Sequence, residues 1–180
     1  MDLANTRALS ERTALLFVGL LMGVPGAGNA AALDKPARPA PEAFQGEWEG
    51  WRCPKGISSD VDRCSVFALV LYERNGHLCG LHSFALPRAR RTDDGSAPSV
   101  AGTASGKIAN VKITSGRADP EVTLNARITR DGQRLHFQLL TFEAGDWFLP
   151  RNIWLARAPG AHVLSDEATG DAEAACSKAH

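Results

Sequence analysis

The sequence predicts an all-β fold, an antiparallel meander closed into a small barrel of seven or eight strands. Three observations lead to this prediction: short apolar segments alternate with turn residues, hairpin signals occur at 75–76 and 131–132, and helical periodicity is almost absent. Short connections favour a meander, and closure into a barrel removes the exposed edges of a meander of this size. A β-sandwich is the alternative.

The first segment, residues 1–32, has the order of a secretory signal peptide. Arg7 and Arg12 precede an uncharged apolar run at 14–24, and small residues follow at 26–32. The apolar run is shorter than the roughly 20 residues that span a bilayer. We therefore predict a periplasmic or secreted protein with no membrane span.

The remaining chain divides into a proline-rich spacer at 33–43, a barrel domain at 44–159 and a polar tail at 160–180 that is tethered near Cys176. Twenty basic and twenty acidic residues give a formal net charge of zero. A neutral chain argues against a general nucleic-acid binder, which needs a basic field.

The barrel domain is predicted to begin with a strand at 46–53. Trp48 lies on one face of this strand, and Glu47, Glu49 and Cys53 lie on the other, because successive side chains point to opposite faces. A loop at 54–63 leads to the central hairpin.

The central hairpin, residues 64–86, is predicted from two apolar runs around Asn75-Gly76, which suits a two-residue turn with positive φ. This turn pairs Arg74 with His77 and sets the register of the whole hairpin. One face carries large apolar residues and the other carries smaller ones. A strand that is exposed on one side has only one apolar face, whereas both faces of this hairpin are apolar. We therefore expect the tail, or the segment that leads into it, to cover the second face of the hairpin.

Four further segments complete the barrel. Residues 87–99 are polar and are predicted to form a long surface loop. Residues 100–114 are predicted to form one or two strands, and residues 121–141 a second hairpin around Asp131-Gly132, which pairs Ile128 with Leu135. A last strand is predicted at 153–158, and the tail beyond it is expected to be poorly ordered except near Cys176.

The opening of the first strand at Gly46-Glu47-Trp48, followed by antiparallel hairpins, resembles the small secreted barrels of the lipocalin and avidin type. The stretch from 149–151 to 155–157 is also similar to uncharacterised exported bacterial barrel domains. The first resemblance implies a closed barrel, and the second implies no activity.

The four cysteines, Cys53, Cys64, Cys79 and Cys176, form an even set in a chain predicted to be exported, which favours disulfides over free thiols. Four cysteines allow three connectivities. The faces on which the cysteines lie favour Cys53–Cys64 across a short loop and Cys79–Cys176 between the hairpin and the tail.

Inward-facing side chains of the barrel are the predicted ligand-binding residues. They share an aromatic or imidazole ring and are Trp48, Phe67, His82, Phe84 and Phe137. The alternative, a core filled by these side chains, is common in eight-stranded barrels. Exposed aromatic residues anchor protein interfaces, so Trp51 and residues 147–148 are candidates for a partner surface.

Motifs for chemistry are few. His77, Cys79 and His82 have metal-ligand types, but His82 points to the opposite strand face, so we predict no metal and no cofactor. Glu47 and Glu49 could serve as an acid and a base, yet no recognised catalytic motif accompanies them.

The predicted function is therefore an exported, non-enzymatic binding protein. Its partner is either a small apolar ligand in the barrel or a secreted protein, for example a hydrolase that it inhibits. The alternative is a hydrolase or isomerase that uses Glu47, Glu49 or His82.

Overall fold

A computed structural model describes residues 43–117, 121–141, 146–158 and 165–178. The predicted signal peptide at 1–32, and all but the last residue of the predicted spacer at 33–43, lie outside the described residues.

The described chain contains nine strands and one α-helix. The strands are β1 (Gly46–Arg52), β2 (Ser65–Arg74), β3 (His77–Ala85), β4 (Thr92–Asp94), β5 (Val100–Ser105), β6 (Ile108–Ser115), β7 (Val122–Asp131), β8 (Arg134–Leu139) and β9 (Asn152–Arg157), and helix α1 is Asp166–Lys178. A short 3-10 turn at Pro87–Ala89 precedes β4.

Eight of the strands form a closed antiparallel barrel in the order β1-β2-β3-β5-β6-β7-β8-β9, and β9 pairs back onto β1. The predicted closed barrel is confirmed. The predicted register of the central hairpin is confirmed as well, because Arg74 pairs with His77 and Tyr72 pairs with Cys79. Asn75 and Gly76 both have positive φ, as this turn requires.

The register predicted for the second hairpin was wrong by two residues. Asp131 pairs with Arg134, and Ile128 pairs with Phe137 rather than with Leu135. The reason is the turn, since Gly132 supplies positive φ at its first central position while Asp131 remains in the strand. A shift of two residues keeps every side chain on its predicted face, so the inward apolar set was predicted correctly.

The predicted surface loop at 87–99 was also wrong in part. Residues 92–94 form strand β4, which pairs with the end of β3 outside the closed barrel. Asp93 on this strand is completely buried. Its partners come from distant parts of the chain, so local polarity alone indicated a solvated loop.

The barrel interior is filled with side chains from all around the barrel. The buried core includes Trp48, Phe67, Leu71, Ile113 and Leu155. The Phe67 ring lies 4.8 Å from that of Phe137 and 6.2 Å from that of Phe84, centroid to centroid. Rings at such distances are in favourable contact, so the interior is packed by the protein itself.

The tail forms a 13-residue helix, α1, where we expected little order. Ala168, Ala172 and Cys176 recur at a spacing of four, which places them on one helix face. Ser165 caps the helix, because its Oγ accepts a hydrogen bond of 3.2 Å from the Ala168 N–H. Packing and capping together outweigh the unfavourable Gly170 inside the helix.

Helix α1 covers the second face of the central hairpin, as predicted. We call this surface the covered wall, the outward face of β2 and β3. Its residues in contact with the helix are Ala68, Val70, Tyr72 and Leu81, packed against Ala168 and Ala172.

Two disulfides, Cys53–Cys64 and Cys79–Cys176, have the favoured pairing. The first links the end of β1 to the start of β2. The second joins β3 to the end of α1 across 97 residues and holds the helix on the covered wall.

Candidate functional site

A cavity of about 530 Å³ lies outside the barrel, between β3, β4 and the start of α1. We call it the helix-side cavity. The apolar side chains that line it are Val61, Val66, Leu81, Ala85, Leu86, Ala89 and Ala168. Because Leu81 and Ala85 point outward from β3, the cavity continues the apolar surface of the covered wall beyond the first turn of the helix.

Polar groups are gathered on the β4 side of this cavity. Ser83, Thr92 and Asp94 line it there, and the Ser83 hydroxyl donates a hydrogen bond to Asp94 Oδ1. Asp94 itself is exposed. The cavity therefore offers a mostly apolar surface with a hydrogen-bonding rim, the usual composition of a small-molecule site.

Gly95 and His82 both line the helix-side cavity, and His82 belongs to a buried polar network behind it. A Cβ atom at Gly95 would lie 2.6 Å from His82 Cε1 and 2.5 Å from Ser99 Oγ. Both distances are far below van der Waals contact, so only glycine lets the backbone after β4 pack directly on the imidazole.

The network behind Gly95 is centred on His82, which is fully buried. Its Nδ1 lies 2.8 Å from Ser99 Oγ, and that hydroxyl also accepts the backbone N–H of His82 at 3.0 Å. Its Nε2 faces Asp93 Oδ1 at 3.7 Å, an ion-pair distance that is too long for a hydrogen bond.

Asp93 is the acceptor at the centre of the network. Ser115 Oγ lies 2.8 and 2.7 Å from its two carboxylate oxygens. The backbone N–H groups of Gly116 and Phe148 donate to it at 3.1 and 2.7 Å. Asp93 thus ties β4 to the end of β6 and to the connection before β9.

The pKa of the Asp93 carboxyl lies below its ordinary value. Burial raises this pKa, but the His82 imidazole beside the carboxylate and the hydrogen bonds from the Ser115 hydroxyl and the Phe148 N–H lower it further than burial raises it. Asp93 is therefore ionised at neutral pH, and its negative charge stabilises the barrel end where these segments meet.

Ser99, His82 and Asp93 are the residue types of a hydrolytic triad, but their arrangement differs from one. In a triad one imidazole nitrogen faces the serine and the other is hydrogen-bonded to the carboxylate. Here the second contact is 3.7 Å long, and only 2% of Ser99 is exposed. Ser99 Oγ is therefore shielded from solvent in this structure, and its two contacts with His82 hold the imidazole in place.

The five predicted ligand-binding residues all lie inside the barrel and are buried; they are Trp48, Phe67, His82, Phe84 and Phe137. Trp48 Nε1 donates a 2.8 Å hydrogen bond to the Phe44 carbonyl oxygen. Of the five, only His82 also lines the helix-side cavity. The structure therefore brings these five residues together in a packed core. Ligand binding by them remains a prediction.

The candidate acid and base, Glu47 and Glu49, are half-buried on the outward face of β1. Each has one carboxylate oxygen shielded from solvent and without a hydrogen-bond partner. Glu49 and Trp51 line a shallow depression of about 550 Å³ together with Asp60 and Arg63, which form an ion pair. These carboxylates lie apart from the His82 network.

The predicted partner surface at 147–148 is mostly packed against the protein. Trp147 and Phe148 are half-buried against the core, and the Phe148 ring lies 4.8 Å from that of Phe84. Arg91 lies over the outer face of Phe148. These two aromatic residues therefore pack against the end of the barrel more than they form an exposed surface for a partner.

Among the described residues, no group of three or more His, Cys, Asp or Glu side chains is arranged to hold a metal ion. No helix in the same part of the chain has both the length and the apolar character needed to cross a bilayer.

Sequence reasoning missed Asp93, Ser99 and Ser115. Their hydrogen bonds join residues 17 to 55 positions apart, and each lies in a polar or small-residue stretch. The one local signal was the Asp94-Gly95 pair at the end of β4, which indicates a turn but not a buried carboxylate before it.

Comparison with known proteins gives no assignment. No protein-family model matches the chain, and neither a curated protein nor a solved structure is detectably similar to it.

Proposed function

We propose that the protein is an exported, non-enzymatic binding protein that holds a small apolar ligand in the helix-side cavity. The observation that carries the proposal is the contrast between a barrel interior packed by its own side chains and an external cavity of about 530 Å³. Cavities of roughly 300–1,000 Å³ with apolar walls and a few polar groups are typical ligand sites.

Export is part of the proposal. Two disulfides persist in an oxidising compartment, and the predicted signal peptide at 1–32 would direct the chain to one. The resemblance to lipocalins and avidins is likewise a proposal about architecture. Such barrels hold one small ligand inside, whereas the site proposed for this protein lies outside, between sheet and helix.

The proposal is tested by filling the cavity. Ala168 lines it from the first turn of α1 and is half-buried, whereas Ala174 on the same helix is exposed. The probe is N-phenyl-1-naphthylamine, an uncharged dye that fluoresces in apolar sites. We expect saturable binding to the disulfide-bonded protein, weakened about tenfold by Ala168→Phe, which corresponds to roughly 1.4 kcal/mol.

The matched variant Ala174→Phe should bind the dye as the wild-type protein does. Thermal unfolding establishes that both variants are folded. Equal binding by wild type and Ala168→Phe, or no binding by any of the three proteins, contradicts the proposal. Native mass spectrometry of the purified protein is an independent test, because a copurifying small molecule would support the proposal.

A further inference from the structure

We propose that the protein has a second binding surface, which takes an extended polysaccharide chain bearing carboxylate groups. This surface is the outward face of β6, β7, β8 and β9, which we call the open wall. It lies across the barrel from the covered wall, because four strand steps separate β7 from β2 in either direction. The inference is therefore independent of the helix-side cavity.

The open wall carries a continuous row of hydrogen-bonding side chains. Asn110, Arg127, Gln138 and Asn152 are paired across the four strands in that order. With about 4.8 Å between strands, the row is about 14 Å long. Arg127 Nε donates to Asn110 Oδ1 at 3.4 Å, so neighbouring groups in the row are already oriented together.

A second row lies beside the first and contains the exposed aromatic residue of this wall. Thr129 pairs with His136, which pairs with Trp154. The His136 and Trp154 rings are stacked 4.4 Å apart, and the Arg134 guanidinium lies 4.9 Å from the Trp154 ring centre. These contacts fix the indole in place while 42% of the residue stays exposed.

Charge is distributed unevenly although the whole chain is neutral. Lys112, Arg127 and Arg134 are exposed on the open wall, and Asp131 is the one acidic residue in these four strands. Helix α1, on the other side of the barrel, contains four acidic residues and one lysine, Asp166, Glu167, Asp171, Glu173 and Lys178. The open wall therefore attracts anions, and the helix side repels them.

The residue types on the open wall fit a sugar acid. Guanidinium and amide groups bind pairs of oxygen atoms in one plane, which suits carboxylates and adjacent hydroxyl groups. An indole offers an apolar surface to the C–H groups of a sugar ring. An extended chain can use the row along its whole length, because the groups are spaced regularly across the strands.

Other anionic partners fit less well. Nucleic-acid binding depends mainly on neutralising many phosphates with Lys and Arg, and three basic side chains among many amides and hydroxyls provide little of this. Insertion into a lipid surface needs a protruding apolar face, whereas the large apolar residues exposed in these four strands are Ile108 and Trp154. We therefore commit to the polysaccharide.

The experiment uses the disulfide-bonded protein and affinity electrophoresis in gels containing polygalacturonate or neutral dextran. We expect retardation by polygalacturonate and none by dextran. Arg127→Gln, an exposed substitution, should weaken binding about tenfold, as expected for loss of a charged hydrogen-bond donor. Trp154→Ala should also weaken it. Binding should decline between about 0.05 and about 0.5 M NaCl, because salt screens exposed charges.

The matched control is Arg74→Gln, which removes an exposed arginine at the end of β2, away from the open wall. It should migrate as the wild-type protein does. Equal losses from Arg74→Gln and Arg127→Gln would show that only net charge matters and would overturn the proposal. Absence of retardation by polygalacturonate, or equally tight binding to single-stranded DNA or to phosphatidylglycerol vesicles, would overturn it too.

Discussion

The covered wall and the open wall are built on the same strand pattern, yet they differ in what lies outside them. On the covered wall, outward residues such as Val70 and Leu81 are apolar and are buried under α1. On the open wall, outward residues such as Arg127 and Gln138 are polar and face solvent. Alternation of side chains fixes the inward face of both walls, so the outward residues alone decide whether a wall needs a cover.

The comparison also separates the two proposed sites. The helix-side cavity exists because α1 and β4 cover only part of the apolar outward surface of the barrel. None of the residues that line the helix-side cavity belongs to the open wall, and the proposed partner of the open wall would lie flat on it. One wall is suited to enclosing a small apolar molecule and the other to hydrogen-bonding a long polar chain.

The largest loss of stability is expected from removing the disulfide between helix α1 and the covered wall. Replacing Cys79 and Cys176 by alanine opens a loop of about 98 residues, which lowers the free energy of unfolding by about 4–5 kcal/mol in the chain-entropy model. Urea denaturation measures the loss, and limited proteolysis should cut α1 first.

Replacing Cys53 and Cys64 by alanine is the control, since that disulfide closes a loop of only about 12 residues and its loss costs about 3 kcal/mol. Proteolysis should then leave α1 intact. An equal loss from both pairs, with α1 protected in each, would show that the disulfide to Cys176 does not hold the helix.

A smaller loss of stability is expected from neutralising Asp93, the buried carboxylate beside the covered wall. Asp93→Asn removes the charge that accepts hydrogen bonds from Ser115 and two backbone N–H groups, and should cost about 2–3 kcal/mol at neutral pH. Because folding lowers the Asp93 pKa, its stabilisation is present above the unfolded pKa of about 3.9 and is lost as the pH falls through the folded value. The wild-type protein should therefore lose stability below about pH 4, and Asp93→Asn should lose less over the same range.

The matched substitution on the open wall is Asp131→Asn, because Asp131 is exposed at the end of β7. It should change stability by no more than about 0.5 kcal/mol and leave the acid dependence as it is in the wild-type protein. Urea denaturation at a series of pH values compares the two. The prediction fails if both variants show the wild-type acid dependence.

The smallest of these effects is expected from shortening one outward apolar residue on each wall. Leu81→Ala should cost about 2 kcal/mol, because Leu81 is buried under α1. Ile108→Ala should cost less than about 0.5 kcal/mol, because Ile108 on the open wall is 44% exposed. Thermal unfolding of the two variants measures the difference. Equal costs would mean that α1 does not seal the covered wall.

Much of the fold followed from local chemistry. Asn75-Gly76 sets the register of the central hairpin. Pairing Cys53 with Cys64 leaves Cys79 for Cys176, which is the disulfide that brings the tail onto the hairpin. The second hairpin was predicted with the right faces and a register two residues off, because a glycine with positive φ can occupy either central position of a two-residue turn.

The sites were less predictable. The sequence predicts that His82 points inward, but it predicts a solvated loop around Asp93, because the hydrogen-bond donors to Asp93 come from β6 and from Phe148, far along the chain. The helix-side cavity requires β3, β4 and α1 to meet, and no single segment carries a signal for it.

The sequence by itself determined which residues face into the barrel, since that depends on strand alternation and turn chemistry within a few residues. Only the tertiary structure decided that Asp93 is buried, that Gly95 must lie against His82, and that a cavity remains beneath Ala168. These features depend on contacts between segments distant in sequence, whose energies appear only after the barrel has closed.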